Sequence, residues 1–113
     1  MSMIQGAGGG TGGEASSSGD YSLEVEWLMP RFVKCVWVKA TDSFYRVNLY
    51  RKTRDGWELV DSKAMDSETK LAFFYYPMGV YMPNGVKATI KDALANDVFT
   101  LKFEAAEERK RFG

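Results

Sequence analysis

VFTLKFEAAEERKRFG, residues 98–113, begins with one periodicity and ends with another. Phe99, Leu101 and Phe103 fall on one side of an extended chain, with Thr100 and Lys102 on the other, as in a half-buried strand. After Glu104 the pattern changes. Ala105, Ala106, Glu107, Glu108, Arg109, Lys110 and Arg111 are good helix formers, acidic first and basic last as the helix dipole favours. Phe112 lies seven residues after Ala105 and shares its face. This stretch predicts a final strand that passes into one C-terminal α-helix.

Upstream, the period of two dominates. Leu23, Val25 and Trp27 alternate with Ser22, Glu24 and Glu26 until Pro30. FVKCVWVKA (32–40) is apolar on both faces, which suits a strand deep in a sheet. In YRVNLYRK (45–52), Tyr45, Val47 and Leu49 are expected to point inward and Arg46, Asn48 and Lys52 outward. Arg54-Asp55-Gly56 then leads into WELV (57–60), a strong hairpin signal. DSKAMDSETK (61–70) reads as loop, and LAFFYY (71–76) as a strand stopped by Pro77. VYM (80–82) and VKATI (86–90) flank Pro83-Asn84-Gly85, a turn sequence that predicts a second hairpin. The expected fold is mainly β, with about seven antiparallel strands in a small barrel or sandwich and a helix at the end.

Composition divides the chain at residue 20. Seven of the eleven glycines lie in residues 1–20, where Met and Ile before Gly6 are the only sizeable apolar side chains. Such a segment cannot bury enough apolar surface to offset its ordering entropy, so 1–20 is expected to be a flexible tail and 21–113 the folded domain. The tail contains no base and two acids, Glu14 and Asp20, leaving fifteen basic and thirteen acidic residues in 21–113. So even a balance argues against nucleic acid as a partner, because phosphate binding draws on a basic excess. The single cysteine, Cys35, sits among Val33, Val36 and Trp37 and reads as a buried thiol in a reducing setting. Neither a signal-peptide pattern nor an apolar run of transmembrane length occurs in the sequence. A cytoplasmic protein is expected, soluble or peripheral at a membrane or the cytoskeleton.

The chain contains no histidine, which removes Ser-His-Asp and Cys-His catalysis and the common zinc sites. GAGGGTGG (6–13) has neither the lysine of a phosphate-binding loop nor a strand before it. Glu24 and Glu26 alternate onto a solvent face, and Glu107 and Glu108 open the expected helix. No enzyme activity, cofactor or metal is expected.

Phe99-Thr100-Leu101-Lys102-Phe103-Glu104-Ala105-Ala106-Glu107-Glu108-Arg109 resembles the end of a pleckstrin-homology domain, where the last strand runs into a helix opened by a small residue and Glu-Glu-Arg. Asp55-Gly56-Trp57 after a basic strand is also similar to that family's early hairpins, and the order of elements is similar across 21–113. The final helix departs from the family: it carries Phe112 where a Trp is usual, and it is short. The resemblance implies a PH-like barrel, and a binding role directed at phosphoinositides or at protein and peptide partners. For phosphoinositides the nearest equivalents of the family's basic ligands are Lys34, Lys39 and Arg46, although Thr41-Asp42-Ser43 between them carries an acid where a basic cluster is usual. An immunoglobulin-like sandwich, also of about seven short strands, is the competing architecture and would suit a structural subunit of a larger assembly.

The chemistry left is that of a surface. Phe73-Phe74-Tyr75-Tyr76, followed by Tyr81 and Met82, holds more large apolar side chains than one inward face can take. Phe74, Tyr76, Tyr81 and Met82 are therefore the expected docking residues of a non-enzymatic adaptor or scaffold module that binds a protein or peptide by strand addition or in a groove. Trp27, Trp37 and Trp57 are expected in the core.

Overall fold

A computed structural model describes residues 13–42 and 44–104, and for 13–18 the backbone alone. It contains eight strands: β1 (Gly13–Ser18), β2 (Tyr21–Met29), β3 (Phe32–Ala40), β4 (Arg46–Thr53), β5 (Gly56–Ala64), β6 (Leu71–Tyr81), β7 (Gly85–Lys91) and β8 (Asp97–Glu104). They form two four-stranded antiparallel sheets, ordered β1-β2-β3-β6 and β5-β4-β7-β8. We call the first sheet A and the second sheet B.

The expected fold class requires correction. Mainly β holds, but the strands form two separate sheets with free edges, and no helix occurs among the described residues. The helix expected from Ala105 onward falls on 105–113, outside the described residues, and the strand before it ends at Glu104. Residues 105–109 of the pleckstrin-homology resemblance fall there too. Leaving β1 aside, β2-β3-β6 faces β5-β4-β7-β8 with Greek-key crossings between the sheets, the strand order of an immunoglobulin-like sandwich. It differs from the constant-type arrangement in that β5 stays beside β4 and does not join β6.

The core lies between the sheets and follows the alternation. Leu23 and Val25 of β2, Val33, Val36 and Val38 of β3, and Ala72 and Phe74 of β6 meet Val47 and Leu49 of β4, Val86, Ala88 and Ile90 of β7, and Leu101 of β8. Four local readings differ from expectation; the first is that 61–64, read as loop, continue β5 and pair with Leu49 to Arg46 of β4. Tyr45 precedes β4 and is half exposed, so the inward row begins at Val47. Pro83-Asn84-Gly85 makes a turn but no hairpin: β6 pairs with β3 and β7 with β4, so the chain changes sheet there. And β6 continues through Pro77 because a bulge absorbs it, the register jumping from Cys35↔Tyr75 to Val33↔Val80. Gly79 serves that bulge with φ of 82°, and a side chain there would meet Leu28 and Phe32 at 3.1 and 3.2 Å.

Gly13–Ser18, placed by composition in the tail, pairs residue for residue with β2 from Ser18↔Tyr21 to Gly13↔Glu26. Its ladder bonds come from the backbone, which composition does not report. Residues 1–12 lie outside the described residues. Among the described residues no helix is long and apolar enough to cross a membrane.

Candidate interaction surface

β6 is an edge strand of sheet A; on its outward side the Leu71 carbonyl accepts from the Asp66 amide at 3.0 Å, and beyond Leu71 no further strand among the described residues pairs with it. Its residues 71–75 pair one for one with Lys39 to Cys35 of β3 and are regular up to the bulge. The whole of LAFFYYPMGVY lacks a charged residue. Edge strands are usually protected by charge, shortness or irregularity. β5, the edge of sheet B on the same flank, has such protection: Glu58, Asp61 and Lys63 lie on it, and it bulges opposite Leu49 and Tyr50.

The two parities of β6 have opposite fates. Phe74 faces the core and is 1% exposed, while Phe73 and Tyr75 are 40% and 55% exposed on the outer face. Trp37 of β3 lies directly opposite Phe73. The Trp37 and Phe73 rings are 5.5 Å apart and inclined at 29°, and the Phe73 and Tyr75 rings are 6.2 Å apart at 13°. Offset pairs of this kind are worth about 0.5–1.5 kcal/mol each beyond burial, so the row holds its shape without a ligand. Glu24 and Glu26 of β2 lie across β3 from it, paired with Trp37 and Cys35. Cys35 is buried beneath this face, and burial first, then the charge of Glu26, pushes its thiol above the ordinary value.

The predicted docking residues separate accordingly. Phe74 and Met82 are core residues, Met82 fully enclosed and its amide donating to Arg31 O at 2.8 Å. Tyr76 is half-buried against the core. Its hydroxyl donates to Asp61 Oδ2 at 2.7 Å, which gives it a structural role. Tyr81 alone of the four is well exposed. It packs on Phe32 at 5.2 Å between ring centres, and its carbonyl accepts from Arg51 Nη1 at 3.1 Å. Phe73, Tyr75 and Trp37 are the surface residues that sequence reasoning missed. Both parities of FFYY contain one Phe and one Tyr, so the stretch itself carries no signal for which pair turns inward. Trp27, Trp37 and Trp57, expected in the core, are all only half-buried.

Lys34, Lys39 and Arg46 do not converge. Lys34 sits at the β3 bulge and Lys39 five residues further along, about 17 Å away in an extended strand. Arg46 lies in the other sheet, donating to Ser62 Oγ at 3.0 Å and lying 5.4 Å from the Tyr45 ring centre. No group of three potential metal-ligating side chains comes together among the described residues. No family model matches the chain, and no curated protein or solved structure is similar enough to count as a match.

Proposed function

We propose that this domain is a non-enzymatic interaction module that binds an extended protein or peptide segment along β6. The observation that carries this reading is the uncharged β6 edge, open beyond Leu71, beside the aromatic row of half-buried Trp37 and exposed Phe73 and Tyr75. A segment added as a fifth strand of sheet A gains main-chain hydrogen bonds from the outward groups of Phe73 and Tyr75, beyond the Asp66–Leu71 bridge. Its alternate side chains then fall beside Phe73 and Tyr75, and aromatic residues of this kind are enriched where interfaces bury energy. An apolar or aromatic side chain at every second position is the chemistry that fits. No comparable geometry supports phosphoinositide binding, because Lys34, Lys39 and Arg46 are far apart and on different sheets.

Panning a random-peptide library against the full chain, followed by amide NMR mapping, tests the proposal. Selected peptides should carry alternating apolar residues, shift the amides of 71–75, Trp37 and Cys35, and lose binding to the Phe73→Ser/Tyr75→Ser variant. Peptides that map elsewhere, or that bind this variant unchanged, contradict it.

A further inference from the structure

The outer face of sheet B differs from that of sheet A. Register places its side chains in rows across the four strands. Leu59, Tyr50, Lys87 and Lys102 form one row, Ser62, Asn48, Thr89 and Thr100 the next, and Ala64, Arg46, Lys91 and Asp97 a third, with Trp57, Lys52 and Glu104 at the near end. Five cations (Arg46, Lys52, Lys87, Lys91, Lys102) therefore share this face with two carboxylates, Asp97 and Glu104. Glu104 serves two amines, Lys102 at 3.2 Å and Lys52 at 3.6 Å, and Asp97 pairs with Lys91.

Lys87 has no carboxylate partner among the described residues. Its ammonium lies 4.6 Å from the Tyr50 ring centre and 5.0 Å from that of Trp57, which Lys52 also approaches at 5.2 Å. Lys87 also stands directly opposite Lys102 across the β7–β8 ladder, a like-charge pairing that disfavours the sheet. Total charge, the ground on which nucleic acid was set aside, conceals this arrangement. The acids Glu24 and Glu26 lie on the outer face of sheet A, and the basic excess is concentrated on sheet B.

We infer that the outer face of sheet B binds single-stranded nucleic acid. Glu104, shared between Lys102 and Lys52, offsets the Lys87–Lys102 opposition only in part, and an added polyanion supplies Lys87 with a counter-charge. Cations recur from the Lys87 row to the Arg46 and Lys91 row, about 13 Å along the strands, with a row of hydroxyl and amide groups between them. That spacing suits a repeating anion. The Tyr50 and Trp57 rings lie under the Lys87 and Lys52 ammonium groups. When phosphates draw these groups off the rings an unpaired base can stack in their place, a contact that an acidic peptide has no use for and that a duplex, with its bases already stacked, cannot make.

The test is fluorescence anisotropy of a labelled oligothymidylate of about 15 nucleotides titrated with the full chain. Salt is varied from about 50 to 200 mM. The expected result is binding that weakens as salt rises. In the Lys87→Gln/Lys102→Gln variant the affinity should fall about tenfold and the slope of log affinity on log salt by about 1.4, the release expected for two lost contacts on a single strand. Lys34→Gln/Lys39→Gln, on β3, should bind as the parent does. Should the double variant fail to fold, Lys102→Glu at its exposed position carries the same expectation of weakened binding. Three results overturn the inference: no binding at the lowest salt, equal loss in the β3 variant, or a duplex or polyglutamate that binds as tightly as the single strand.

Discussion

The Tyr76 hydroxyl donates to Asp61 Oδ2 at 2.7 Å, joining the β6 edge of sheet A to the β5 edge of sheet B. This bond closes the flank on which the proposed docking strand lies. Burial first, and then the bond and charge of Asp61, hold the phenol above its ordinary value of 10.0. Tyr76→Phe removes a bond to a charged acceptor and should cost about 1–2 kcal/mol in urea unfolding at neutral pH. The sign with pH follows from the raised value. The stabilisation is fully present below pH 10.0, the phenol's ordinary value, and is lost as pH rises above it. The gap between parent and Tyr76→Phe should therefore narrow in alkaline solution.

Neighbouring phenylalanines should respond in opposite ways. Phe74 fills the core between the sheets, and Phe74→Ala should cost about 3–5 kcal/mol. Phe73→Ala removes an exposed ring and should cost about 1 kcal/mol, chiefly its contacts with Trp37 and Tyr75. Denaturant midpoints of the two variants check this directly.

Gly85 opens β7 where a side chain has no room. A Cβ there would lie 2.6 Å from the Phe103 carbonyl oxygen and 3.3 Å from Glu104 Cα, both backbone atoms of β8. Gly85→Ala should destabilise the domain by about 2 kcal/mol or more through displacement of β8. Amide shifts along 99–104 report that displacement.

Cys35 should be a slow thiol. It is buried, and burial with the adjoining Glu26 charge disfavours the thiolate that reacts. Labelling by a disulfide reagent near neutral pH should be at least about tenfold slower in the native protein than in denaturant, and Glu26→Gln should speed the native reaction.

Much of the fold is legible in the sequence because alternation reports which face of a strand is buried. Leu23 and Val25, Val47 and Leu49, and Leu101 are all inward where their runs place them, and Arg54-Asp55-Gly56 turns β4 into β5. Long-range pairing is not legible in the same way. Pro83-Asn84-Gly85 specifies a local reversal, but whether Val86 pairs with the strand just left or with Arg51 depends on contacts across the sandwich. Which residues of β6 turn outward is not legible for a related reason: FFYY is equally apolar in both parities, and the valine-rich inner side of β3 selects Phe74 over Phe73 for the core. Net charge likewise hides the difference between the two outer faces, which exists only once register brings Lys87 beside Lys102.

Amide hydrogen exchange along β6, with and without a library-selected peptide, is the most direct measurement. The account predicts that the amides of Phe73 and Tyr75, turned away from β3 and beyond the Asp66–Leu71 bridge, exchange fast in the free protein and become protected on binding. Their neighbours, bonded to β3, should be protected in both states. Unchanged exchange at the outward amides of a peptide-saturated protein would contradict strand addition at β6.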